Sequence, residues 1–552
     1  MTTILPPSSA PPDARAAPPN GRHGAILATI CLALVLVVAG VSMLNVALPD
    51  MSRALGASQA DQQWLVDGYT VSLAALLLFA GALGDRFGRR RALVAGISLF
   101  GVANGLSAVT HSTGPLIDLR ILAGVGAALI MPATLSTITS VFPPDQRARA
   151  VGVWAGVAGA GGTMGLLGAG AMLEQWWFGS VFVVTTALAV VALVATLIVV
   201  PETREGHTAR VDTLGALLSI VAVGGLVLGI IEGPSRGWTD AVTLFGLVCG
   251  LLAGVLFVFW ELRSRAPLLD PRLFRVRGFA TGSTSLFLQF FALFGFFFVA
   301  LQYLQLVRGY SALVSAVALL PTAVVMMPLS TVAATLADRY GQRLVGAAGL
   351  LVAAVGFVVI ASMQTGSGLM QFELGLVLIG AGAALAMTPA TNAILRTLPR
   401  AKQGVASAVN DTARELGSAF GIAILGSAFN SAYRGSINPA LHGLPASSAA
   451  AAHAAPATAL AVAAQAGTAG QQLAAAARNA FMSGSRAAML IGAALLAVGA
   501  AYVALRGNHA TANEHDTDDA LDNAEDADEA DEADEATLAP ALEAAAALRA
   551  PR

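Results

Sequence analysis

Charge is scarce in this chain: Asp, Glu, Lys and Arg make up 12% of 552 residues, and aromatic residues only 6%. Cysteine is rarer still, with Cys31 and Cys249 alone, both inside apolar runs. Their setting fits buried thiols and argues against a disulfide framework. Also missing are paired His/Cys ligand spacing, a nucleophile motif and a phosphate loop of the Gly-x4-Gly-Lys form. These absences leave no basis for a metal site, a cofactor, an enzymatic reaction or a nucleic-acid partner. The stretch "GAGAAL" at 380–385 is an isolated glycine pattern inside an apolar run and reads as packing.

What the chain does hold is apolar sequence: 56% hydrophobic residues and 58 glycines. It falls into blocks of about 20 residues, the length that spans a bilayer as a helix. Backbone groups in lipid must be satisfied within the segment, so the expected fold is an all-α polytopic membrane protein. Fourteen segments are predicted, near 25–47, 64–84, 92–110, 115–138, 150–173, 179–200, 213–232, 241–261, 280–303, 312–336, 344–363, 370–392, 404–431 and 486–505. With both termini cytoplasmic, 21 of the 31 Arg and Lys fall on the inner side, as the positive-inside rule requires. A Pro-rich start, 1–24, and an acidic tail, 507–552, are expected to be disordered. The tail carries 14 acids against two arginines, so the rest of the chain is strongly basic. Residues 432–485, Ala-rich, are expected as a long outer loop that includes a possible surface helix.

A motif repeats within this frame. "GALGDRFGRRR" at 81–91 is echoed by "ATLADRYGQR" at 334–343. Setting aside the seventh and eighth segments leaves two sets of six, with the motif at the same place in each. Parallel six-helix repeats around a midplane site are an architecture of membrane transporters. With "LRILAGVGAALIMPA" at 119–133, "NVALP" at 45–49, "QWLVDGYTVSLAALLL" at 63–78 and "VNDTARELGSAFGIAILGS" at 409–427, the chain resembles the major facilitator superfamily. Within it, the chain resembles the fourteen-helix drug:proton antiporters of the EmrB/QacA type. The resemblance implies a major facilitator fold over 25–505. Its parts are a first six-helix bundle at 25–200, two extra central helices at 213–261, and a second bundle at 280–505. It further implies a plasma-membrane protein exchanging a small-molecule drug or metabolite for protons; the sequence leaves the oligomeric state open, with a monomer expected.

Candidate residues follow from chemistry and from that resemblance. Gly81, Asp85, Arg86, Gly88 and Arg89, with Asp338 and Arg339 in the echo, are expected to form a cytoplasmic latch between the halves. Arg120 lies within the fourth segment, where a charge needs a partner, and Asp67 is the candidate. Asp411, Arg414 and Glu415 share a face of the thirteenth segment, roughly 12–18 Å into it at the helical rise. Two acids beside one base suit proton loading and release. Gln289, Phe290, Gln302 and Gln305 are weaker candidates for a substrate cavity, where Phe-rich sequence more often packs.

Two positions depart from the resembled branch. Gly40 stands where its first helix usually carries an acid, and Leu166 where its fifth helix usually carries Pro. The leading reading is a proton-coupled exporter of amphipathic compounds working by alternating access. The alternatives are a narrow metabolite or antibiotic exporter with weak or no proton coupling, and a non-transporting membrane scaffold.

Overall fold

The computed structural model describes residues 20–203, 212–264, 267–396, 403–465 and 467–507. Most of the Pro-rich start and all of the acidic tail beyond Gly507 lie outside the described residues. Among these, the fold is all helical, with α1 (Asn20–Leu55), α2 (Gln59–Phe87), α3 (Arg89–Ala108), α4 (Thr113–Val141), α5 (Pro144–Leu173) and α6 (Gly179–Val199) forming a first bundle. A hairpin of α7 (Thr213–Arg236) and α8 (Ala241–Glu261) follows. The second bundle holds α9 (Arg277–Gln302), α10 (Ala312–Ala318), α11 (Leu320–Tyr340), α12 (Gln342–Ala361), α13 (Leu369–Arg396), α14 (Gln403–Ile437) and α17 (Gly467–Arg506). Two short helices, α15 (Ala446–Ala454) and α16 (Pro456–Gln465), lie between α14 and α17.

Every expected apolar segment is helical, the tenth as α10 and α11 separated at Leu319. Among the described residues, twelve helices are long and apolar enough to cross a membrane. Within the same residues, α14 falls short of that apolarity over its 35 residues, and α5 contributes the shorter apolar stretch Gly161–Leu173. The helix α5 runs along α1, and α14 packs against α9, α2 and α17. The lipid-length helices α6, α8 and α11 instead expose apolar side chains such as Ile198, Phe245 and Met327, a surface suited to hydrocarbon rather than water.

Small residues set the helix crossings. A Cβ on Gly96 would sit 2.7 Å from the Gly126 carbonyl, and one on Gly126 would sit 2.8 Å from the Gly96 carbonyl, so α3 and α4 touch backbone to backbone. Gly225 with Gly246 and Gly250 does the same for α7 and α8. Such close approach lets dispersion and backbone contacts hold helices where lipid removes the hydrophobic drive. Helix starts are specified locally: Ser58 and Asp61 make a reciprocal capping box on α2, and Asp212 and Asp240 cap α7 and α8.

The segment 432–485 departs from the expected loop. The helix α14 continues to Ile437, a 3-10 turn covers Asn438–Leu441, and α17 begins at Gly467, well before the apolar run it carries. Tyr433 donates its hydroxyl to Ala452 O at 2.8 Å, and Phe429 meets Phe481 edge-on at 4.9 Å. Ala457, Ala459 and Ala463 of α16 are buried in the same core cluster as residues of α1. This folded cap, the hood, closes one end of the molecule. The opposite end carries the repeated glycine motifs and is called the loop face.

Candidate functional site

The repeat seen in sequence is a repeat in backbone. Gly88 has φ 116° and ψ 130°, and Gly341 has φ 86° and ψ 144°. Each ends one helix with an N–H to the carbonyl four residues earlier, at 2.9 Å, and starts the next helix at once. Positive φ favours glycine here for steric reasons. Gly81 lets α2 approach Pro132 of α4, whose side chain would be 3.4 Å from an added Cβ.

The described partners of this loop lie within its own half. Arg89 donates from its backbone N to Thr203 O at 2.9 Å and from Nη1 to Ser136 O at 3.1 Å. Arg90 N donates to Glu202 Oε1 at 3.2 Å, and Arg91 Nε lies 3.6 Å from Glu202 Oε2. Arg86 stacks over Phe87. All of these partners belong to the first bundle, so the described side chains tie α2 and α3 to α4 and to the end of α6. The Asp85 side chain lies outside the described residues. In the echo, Asp338 is exposed and Arg339 lies over the Tyr340 ring, 5.3 Å from its centroid.

Arg120 is buried at 1% exposure but is not paired with Asp67. Its Nε donates to Leu65 O at 3.1 Å, and its guanidinium covers the Tyr69 ring at 4.6 Å. Leu65 and Tyr69 are four residues apart on one face of α2, whereas Asp67 points away. Asp67 instead accepts from Thr70 Oγ1 at 3.2 Å. The Tyr69 hydroxyl donates to Val37 O at 3.0 Å, which ties α1, α2 and α4 together. Gly124, one turn after Arg120, faces the Tyr69 carbonyl where a Cβ would overlap it.

On α14 the three ionisable residues are brought together as their spacing implies. Arg414 Nη1 lies 3.7 Å from Asp411 Oδ1, with 33% and 16% side-chain exposure in the middle of a buried helix. Arg414 also covers the Phe290 ring of α9 at 4.6 Å. Glu415 is half-buried and near enough to the Tyr69 phenol for the two to interact electrostatically. The cluster therefore faces the first bundle across the seam. Of the weaker candidates, Phe290 belongs to it. Gln289 and Gln302 are buried and donate within α9, to Ser285 and to Phe298 O. Gln305, in a π-helical turn at Tyr303–Val307, crosses to Val46 O at 3.0 Å.

Among the described residues, every hydrogen bond found between the bundles lies toward the hood. Gln63 Nε2 donates to Ile422 O and Ala423 O at 3.3 and 3.2 Å, and Ser311 Oγ donates to Glu174 Oε1 at 2.6 Å. The helix α7 straps the same seam. Glu232 accepts from Trp64 Nε1 at 3.1 Å on one side, and Ile230 O accepts from Ser427 Oγ at 2.7 Å on the other. The sequence marked Gln63 and Trp64 only as the start of "QWLVDGYTVSLAALLL", with no role given, and Glu232 lies in no motif. At the first-helix departure, the Phe100 ring comes within 3.4 Å of where a Cβ on Gly40 would sit, so an aromatic borders that position.

Comparison with known proteins fits this arrangement. Residues 30–422 match the family model described as the Major Facilitator Superfamily. The multidrug efflux pump LfrA of Mycolicibacterium smegmatis is 34% identical over 487 residues, covering 87% of this chain and 96% of that protein. The multidrug resistance protein Stp of Mycobacterium tuberculosis is 32% identical over 398 residues, 72% of this chain and 74% of that protein. The tetracenomycin C resistance and export protein of Streptomyces glaucescens is 30% identical over 408 residues, covering 74% of this chain and 76% of that protein. Among solved structures, a bacterial homologue of the human lysosomal transporter Spinster, inward-facing and occupied, superposes with a TM-score of 0.62. It does so at 18% identity, over 89% of this chain and 98% of that one. The two-bundle fold, the matched residues and these relatives together establish that the chain belongs to the Major Facilitator Superfamily.

Proposed function

We propose that the chain is a multidrug efflux transporter of the fourteen-helix drug:proton antiporter branch, lying in the plasma membrane with its loop face in the cytoplasm. Efflux as the activity is supported by the named relatives, which are efflux pumps and resistance proteins. The observation that carries the mechanism is the α14 cluster: two acids and one arginine, partly exposed within the bundle and facing α2. Ionisable groups at membrane depth default to a transport role, and a carboxyl beside a base is suited to exchange a proton. In this reading Asp411 and Glu415 load a proton from outside and release it inside, while Arg414 balances whichever acid is ionised. Phe290, over which Arg414 lies, offers a ring to an amphipathic or cationic compound when the guanidinium is drawn toward its acids.

The bundles are joined at the hood end, which corresponds to an inward-facing state in which the drug enters from the loop face. Arg120, braced between Leu65 O and Tyr69, positions the α2 face opposite Glu415. Gly81, Asp85, Arg86, Gly88, Arg89, Asp338 and Arg339 act in the complementary state, when the loop face closes. Loss of the acid at Gly40 leaves the α14 pair as the main proton carrier.

Everted vesicles test this. Drug addition should dissipate an imposed ΔpH, and Asp411→Asn and Glu415→Gln should each reduce that response by at least about tenfold, the order expected when a proton-transfer group is removed. An undiminished response in both variants would assign coupling elsewhere.

A further inference from the structure

Arg434 stands at the hood end of α14, half-buried, and reaches two neighbours. Its Nη1 donates to Pro234 O of α7 at 3.4 Å, and its Nη2 lies 3.0 Å from His453 Nδ1 at the end of α15. A guanidinium has only donors and stays charged. The contact therefore requires Nδ1 to be an unprotonated acceptor, with the ring proton on Nε2 and the imidazole neutral. Beside it, the Tyr433 hydroxyl holds Ala452 O, so α15 is fixed to α14 by two neighbouring ties. The helix α16, which continues from α15, is the part of the hood that meets α1.

We propose that Arg434 and His453 form a proton-released clasp: protonation of His453 expels it from Arg434, loosens α15 from α14, and frees the hood to open. A protonated imidazole has no acceptor left at Nδ1 and places a second cation against the guanidinium. Burial and the neighbouring Arg434 already hold the His453 imidazole below its ordinary value of 6.5. A base depressed in the closed form stabilises that form above about pH 6.5, and the stabilisation is lost as pH falls through the depressed value. The other charged groups at this end are otherwise engaged or exposed. On α7, Glu232 pairs with Arg236 at 2.8 Å and accepts from Trp64. His442, after the 3-10 turn, and Arg478 on α17 are exposed. Neither α15 nor α16 carries another ionisable side chain.

The clasp rests on the proposed orientation only for its consequence, that an acidic exterior favours opening toward the exterior. Its existence is tested without transport, in nanodiscs where both faces meet one pH. Spin labels at Thr239→Cys, beside α7, and Ser447→Cys, on α15, report hood position in a Cys31→Ala, Cys249→Ala background. Between about pH 8 and about pH 5, the unaltered clasp should develop a longer and broader distance, with its midpoint below about 6.5. His453→Asn, whose Oδ1 replaces the Nδ1 acceptor without titrating in this range, should keep the short distance throughout. His453→Arg should show the long distance even at about pH 8, and the exposed His442→Asn should respond as the parent does. A parent distance that ignores pH would overturn the proposal, as would a pH response that survives in His453→Asn or disappears in His442→Asn.

Discussion

Replacing Gln63 with Leu should loosen the hood-side seam by a calculable amount. The Gln63 side chain is fully buried, and its Nε2 donates to Ile422 O and Ala423 O across the boundary between α2 and α14. A net buried hydrogen bond contributes about 0.5–1.5 kcal/mol. Both bonds are long, and both carbonyls sit within α14, where intrahelical donors also reach them. The pair is therefore worth about 1 kcal/mol, which shifts the hood-closed equilibrium about fivefold. Gly426 supplies an independent route to the same end, because a Cβ there would overlap the Gln63 amide, with its Cδ only 2.9 Å away. Gly426→Ala should separate the seam while Gln63 is present, and adding Gln63→Ala should relieve the overlap. The assay is pulsed dipolar spectroscopy between spin labels at Ala54→Cys and Gln364→Cys, exposed positions of the two bundles at the hood end. The long-distance population should rise about fivefold in Gln63→Leu. No change in Gln63→Leu, or a double variant that opens further than Gly426→Ala, would refute the reasoning.

Gly88→Ala should lower the melting temperature of the purified protein, because an L-residue at φ 116° costs about 1–3 kcal/mol and its Cβ would overlap Glu202. Glu202→Ala should restore only part of that loss, which a thermal scan of single and double variants measures. Arg120→Lys should reduce efflux while leaving the amount of protein in the membrane unchanged. An ammonium cannot donate to Leu65 O in the same plane in which it stacks on Tyr69, and about 0.5–2 kcal/mol of ring interaction goes with the stacking. Tyr69→Phe should show a milder loss, since it removes one bond to Val37 O worth about 1 kcal/mol and keeps the ring.

Periodicity and length made the bundle helices legible, and the two-fold repeat could be read because Gly88 and Gly341 occupy a backbone region that few other residues tolerate. The α14 cluster was legible because spacings of three and four place side chains on one helical face. The Arg120 partner was not, since a backbone carbonyl has no sequence signature and the candidate acid, Asp67, bonds Thr70 instead. The hood was hidden for a different reason. Residues 432–485 lack an apolar run of spanning length, yet alanine is the strongest helix former, so the segment folds as extensions of α14 and α17 with α15 and α16 between them. The strap of α7 across the seam depends on Trp64, Glu232, Ile230 and Ser427, which are far apart in the chain and ordinary in composition.

Substrate transport with and without a proton gradient, in proteoliposomes carrying Asp411→Asn, Glu415→Gln or the parent sequence, tests proton coupling at the α14 cluster most directly. If these carboxyls carry the proton, the variants should still exchange drug for drug across the membrane, a process needing no net proton movement, but should no longer accumulate drug when ΔpH is imposed. Gradient-driven accumulation at the parental level in both variants would contradict that account.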